Sequence, residues 1–194
     1  RLWTEREQIS LTPRRPPEIL ESDLTPLVLE LALWGVSDPS ELSWLTPPPS
    51  GAVTQARELL TQLGALDSNG CMTPHGRAMA ELSLHPRLAH MILRAQSLRM
   101  ATLACDVAAL LSERDIFRHH RGHRNADLRI RLDALYGQQD PADSATIDRG
   151  AVQHIKRTAD LWRRHLARTT TGERSNTKDQ LDQVGLLLAL AYPD

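Results

Sequence analysis

Residues Gly64 to Met91, GALDSNGCMTPHGRAMAELSLHPRLAHM, constrain this chain more than any other stretch. Ser68-Asn69-Gly70 is a turn signal between short apolar segments, and Asn-Gly is the pair favoured at the tip of a type I′ hairpin. A hairpin is therefore expected over Ala65 to Thr73. A short helix from His75 or Gly76 to Leu82 should follow. Pro86 suits the first position of the next helix, which carries Leu88, Met91, Ile92, Ala95 and Leu98.

The flanking segments are helical in pattern. Upstream, Leu24, Leu27, Val28, Leu31 and Trp34 share one helical face, with Asp23 as N-cap and Gly35 as the stop. Pro47-Pro48-Pro49 enforces an extended segment, Ser50 can cap, and Val53, Ala56, Leu59, Leu60 and Leu63 line a second helix from Gly51 to Leu63. Two helices and a wing in this order predict a winged helix. Downstream, Thr102 to Leu111 is apolar on most sides and should be buried. Ala126 to Tyr136 is amphipathic, and Ile147 to Ala167 carries the stripe Val152, Ile155, Ala159, Trp162 and Leu166. A last helix is expected from Asp179, while Gly137 to Thr146 and Thr169 to Asn176 read as polar loops. Arg1-Leu2-Trp3-Thr4 could end a strand, and Thr12 to Pro17 reads as a stiff linker. The expected fold class is mainly α: a winged helix with a small β-hairpin wing packed on a helical bundle.

Leu and Ala supply most of the 41% hydrophobic content, which agrees with helices. No apolar run reaches the roughly 20 residues of a membrane span, so no membrane partner is expected and a cytoplasmic location is. Cys71 and Cys105 stand 34 positions apart without a CxxC, which suggests neither a disulfide framework nor zinc. Cys105 reads as a small buried hydrophobe. No GxxxxGK[ST] phosphate loop, GxGxxG, GxSxG or HExxH is present, so the chain by itself offers no catalytic residues and no means to hydrolyse ATP. His119, His120 and His123 stand among Arg118, Arg121 and Arg124, a positive field that opposes a metal cation.

Charge is segregated along the chain although it nets to −1. Glu18 to Gly64 holds seven acids against Arg57 alone, whereas Arg114 to Arg131 holds six arginines against Asp115 and Asp127. From Arg149 to Arg168 six bases face only Asp160. A polyanion should prefer the second half. The candidate nucleic-acid-binding residues are Arg114, Arg118, Arg121, Arg124, Arg129 and Arg131, with Lys156, Arg157, Arg163 and Arg164 on the late helix. Lys156 and Arg163 are seven apart, as are Arg157 and Arg164, so each pair runs along one side of that helix. Local salt bridges, such as Arg124 or Arg131 with Asp127, are the competing reading. Trp34 and Trp162 are expected in the core; Phe117 could stack on a base, but burial as a loop anchor is favoured. The predicted winged helix has Arg57 and Glu58 on its second helix and Asp67 in its wing, which argues against a sequence-specific DNA reader.

With these residues in view, the chain from Pro17 to Glu113 resembles the region after the second RecA-like domain in DEAH-type ATP-dependent helicases. The matching stretches are Pro17-Glu18-Ile19-Leu20, Leu24 to Gly35, Leu45-Thr46-Pro47-Pro48, Leu59 to Asp67, Met72-Thr73-Pro74-x-Gly76, Pro86-Arg87-Leu88 and Ala109 to Glu113. Arg1-Leu2-Trp3 resembles the last strand of the second motor domain. Leu111 to Asp115, Asp127 to Leu132 and Leu188 to Asp194 are most similar to the bacterial HrpB-type members.

The resemblance implies a fragment. It places both RecA-like domains, with ATP and Mg2+, upstream, and further domains beyond Asp194. It divides the chain into a tail and linker at 1–16, a winged helix at 17–75 and a ratchet-like helical bundle at 76–194. The implied function is accessory: gripping single-stranded RNA or DNA backbone through the basic surface during 3′-to-5′ unwinding, with the RecA-like domains of the same parent chain as partners. The alternative is a protein-interaction or regulatory winged-helix module that binds no nucleic acid.

Overall fold

The computed structural model describes residues 3–10, 15–118, 126–138, 146–169 and 181–193. Trp3 and Thr4 form no strand; they lead into a short helix α1, Glu5–Ser10, whose first turn is closed by Thr4 and Glu7 through a 2.7 Å bond from the Thr4 amide to the Glu7 carboxylate. Arg1, Leu2 and most of the proposed linker lie outside the described residues.

The first large helix is α2, Thr25–Leu33, where the Asp23 carboxylate accepts from the Thr25 amide at 2.8 Å. Leu24, Val28, Leu29 and Leu31 face the core. Trp34 corrects the sequence reading: it sits one residue past the helix and is 73% exposed. The chain there reverses at Gly35 (φ +84°), with the Val36 amide returning to the Leu31 carbonyl, so the indole falls outside the packed turn. Helix α3, Ser50–Gln62, buries Val53, Ala56 and Leu60, with Leu63 just beyond.

The expected wing hairpin is not formed as a ladder. One isolated antiparallel bridge joins Leu66 and Met72. The turn is also not type I′, because Gly70 has positive φ (+78°) and Asn69 does not. Asp67 dominates the local competition: its carboxylate accepts from the amides of Asn69 and Cys71, both at 2.8 Å, and its carbonyl accepts from Gly70. That is a three-residue loop with glycine in the left-handed position.

Thr73-Pro74-x-Gly76 then starts helix α4, Pro74–Glu81. The Thr73 hydroxyl accepts from the Gly76 amide at 3.0 Å and donates to the Gly64 carbonyl at 2.6 Å, so one side chain caps the helix and holds the loop. Gly76 is required sterically, since a Cβ there would lie 2.3 Å from the Ala65 carbonyl oxygen. Helix α5, Pro86–Ser97, is capped by His85, whose Nδ1 accepts from the Arg87 amide while Nε2 meets Asp23 at 3.0 Å.

Helix α6, Ala101–Ser112, is the centre of the molecule, with every residue from Leu103 to Leu110 buried, Cys105 among them. Helices α7 (Leu128–Tyr136), α8 (Arg149–Thr169) and α9 (Val184–Ala191) follow. Both α7 and α8 pack on α6, and α9 packs on α5. Two short antiparallel strands were not expected: β1 (Phe117–Arg118) lies between α6 and α7, and β2 (Thr146–Ile147) precedes α8 and takes Ile147 out of the expected helix, with Phe117 opposite Ile147. One apolar core runs from Leu24 to Ala191. No helix among the described residues is long and apolar enough to cross a membrane.

Candidate nucleic-acid interface

The stripe of α8 packs as its spacing predicts: Ile155, Ala159 and Leu166 are buried, and Val152 and Trp162 are partly covered. The opposite face is exposed and carries Arg157 and Arg164, with Arg168 extending the row by one turn. Lys156 is exposed on the flank. The side chains of Lys156, Arg157, Arg164 and Arg168 make no hydrogen bond or ion pair to any described residue, and neither does that of the exposed Arg114.

Arg163 is different, and the two seven-residue pairs separate. At about 100° per residue it lies roughly 60° from the centre of the buried stripe. Its guanidinium turns inward to Asp106 of α6 and also reaches Asp160 at 2.7 Å and the Thr102 carbonyl at 3.4 Å. Asp106 is 2% exposed, and its second oxygen accepts from the Tyr136 hydroxyl of α7 at 2.8 Å. Burial pushes the Asp106 carboxyl upward, against the pull of Arg163 and Tyr136. Desolvation likewise opposes the Arg163 charge, but Asp106 and Asp160 together raise its pKa. Sequence reading passed over Asp106 and Tyr136, although an acid within Leu103-Ala-Cys-Asp-Val-Ala-Ala-Leu110 is itself a signal, because a buried charge requires a partner.

On α7 the Asp127 carboxylate caps the first turn, accepting from the Arg129 amide at 2.9 Å and pairing with its guanidinium at 2.8 Å. Those hydrogen bonds hold the Asp127 carboxyl below its ordinary value. Arg131 pairs with Asp115 at 2.7 Å, bonds the Asp127 carbonyl and lies over the ring of Phe117, 5.8 Å from its centroid. Phe117 is buried, an anchor as favoured. Local pairing thus accounts for Arg129 and Arg131, with Asp115 taking the side-chain partnership that Asp127 was expected to offer Arg131. Arg118 belongs to β1, while Arg121, Arg124 and the three histidines beside them lie outside the described residues.

The β1–β2 pairing and a 2.8 Å bond from the Asp148 amide to the Ile116 carbonyl bring Arg114 to the start of α8. There a cleft of about 380 Å3 is lined by Glu113, Arg114, Asp148, Gly150, Ala151, His154 and Ile155. His154 meets Glu113 at 3.1 Å. A larger cleft, about 720 Å3, has mixed charge, with Asp23, Glu30, His85 and Arg87 in its wall. Exposed arginines without acidic partners can hold phosphate but supply no acid, base or nucleophile. No group of three or more His, Cys, Asp or Glu among the described residues could hold a metal ion. Among the described residues, no set fits a nucleotide with its magnesium.

Residues 56–84 match the winged-helix helicase-associated domain, HA2. The chain is homologous to DEAH-type helicases and carries their helicase-associated region. It is 44% identical over 97 residues to the ATP-dependent RNA helicase HrpB of Escherichia coli, covering 50% of this chain and 12% of that protein. It is 28% identical over 157 residues to the human probable ATP-dependent RNA helicase DHX35, covering 80% of this chain and 22% of the relative. A crystal structure of the Escherichia coli DEAH/RHA helicase HrpB superposes with a TM-score of 0.68 at 30% identity, covering 98% of this chain and 21% of that one. The chain thus spans about a fifth or less of these relatives.

Proposed function

We propose that this chain is an accessory region of an ATP-dependent RNA helicase, gripping a single strand through its basic helical surface while RecA-like domains elsewhere in the parent hydrolyse ATP with Mg2+. The supporting observation is the row Arg157, Arg164 and Arg168 on the outer face of α8, with Lys156 on its flank and Arg114 at its start, all exposed and unpaired among the described residues. The names of the relatives, RNA helicases, select the polyanion. In this reading residues 17–75 form the winged-helix unit, 76–194 form the ratchet-like unit, and the parent acts in the cytoplasm.

Binding of labelled oligouridine across a salt series tests this. The native chain should bind in a salt-sensitive way. Arg157→Glu with Arg164→Glu should lower the slope of log K against log salt by about 1.4, since each lost contact to a single strand removes about 0.7. A folded sample that binds nothing at low salt refutes the grip. The protein-docking alternative would then stand on the exposed Trp34 and on Leu45, which is 105% exposed, in the acidic first third.

A further inference from the structure

Asp106 is expensive where it stands. It is the one charged residue in the apolar run from Leu103 to Leu110, and burying a carboxylate costs energy that a well-packed apolar residue would not. Its two oxygens go to two different helices. Oδ2 accepts from Tyr136, the last residue of α7, and Oδ1 accepts from Arg163, in the C-terminal half of α8. These are the two helices that carry the described candidate bases beyond β1.

Each helix has a second tether just past the C-terminal end of α6. Arg131 of α7 pairs with Asp115, and His154 of α8 meets Glu113. Apolar packing fixes the position of either helix on α6 less specifically than hydrogen bonds do, because burial is not directional. A carboxylate with two committed oxygens has one geometry that satisfies both donors, so it fixes where α7 and α8 stand relative to each other.

We propose that Asp106 is a positioning residue for strand binding: through Tyr136 and Arg163 it holds α8 against α6 and α7 in the one rotation at which the exposed row Arg157, Arg164 and Arg168 meets phosphates of one strand. This inference rests on the gripping function proposed above, and the experiment separates the two.

Oligouridine binding would be compared across a salt series for the native chain, Asp106→Asn and Tyr136→Phe, with circular dichroism to confirm folding. The signs oppose each other usefully. Asp106→Asn removes a negative charge, so charge alone predicts tighter binding to a polyanion. Loss of positioning predicts weaker binding, by at least about fivefold, with the salt slope shallower by about 0.7, one phosphate contact. Tyr136→Phe alters no charge and should weaken binding in the same direction. Unchanged or tighter binding by either variant in its folded form overturns the inference while leaving the grip intact. If Asp106→Asn does not fold, Tyr136→Phe, which loses a single hydroxyl, carries the test. Failure of the native chain to bind overturns the gripping function and the inference with it.

Discussion

Gly76 is fixed by what surrounds its α-carbon rather than by its own flexibility. It lies inside α4 with helical backbone, and the Ala65 carbonyl and the Met72 sulfur occupy the space a methyl group would need, at 2.3 and 2.5 Å from an ideal Cβ. The sulfur ends a flexible side chain and can move. The carbonyl cannot, because it accepts from the Thr73 amide at 3.0 Å. Gly76→Ala should therefore lower stability by about 1–3 kcal/mol, the usual cost of overpacking, although alanine is the better helix former. Chemical denaturation of the two proteins measures this; equal midpoints would show that the loop gives way freely. Sequence reading found this Thr-Pro-x-Gly motif by its resemblance to a family, and packing supplies its physical reason.

The joint between α4 and α5 carries a pH dependence. His75 of α4 and His90 of α5 meet edge to face, with ring centroids 5.0 Å apart and nitrogens at 2.9 Å. Burial lowers both imidazoles, and His90 falls to about 4 because His75 and Arg94 add repulsion. The unfolded chain, where histidine titrates near 6.5, binds more protons than the folded one between those values. The stability from this pair is full above pH 6.5 and is lost as pH falls toward 4. Melting temperature should drop between pH 7 and pH 5, and His90→Gln should shrink the drop; an equal drop in the variant would remove His90 as its source. At this scale α2 to α9 were legible because their apolar residues recur at helical spacing between polar or proline punctuation, whereas α1, Glu5–Ser10, has no apolar stripe and was missed. The strands β1 and β2 were not, since two residues have no period. The inward turn of Arg163 was hidden for another reason: its partner lies 57 residues away, and only the packing of α8 on α6 brings them together.

Across the whole molecule, charge and core follow different divisions. The acidic first third and the basic later helices share one apolar interior, so the polarity visible in the sequence belongs to the surface and does not mark a break in the core. The two cysteines divide along the same line between surface and interior. Cys71 is exposed in the loop beside Gly70, whereas Cys105 is buried in α6, where desolvation pushes its thiol up to about 12. Neutral-pH alkylation should consequently modify one cysteine per folded molecule and two after denaturation, which intact-mass spectrometry resolves. The molecule thus carries its own attachment point for a fluorophore at the winged-helix turn, ready for the strand-binding test without introducing a new residue.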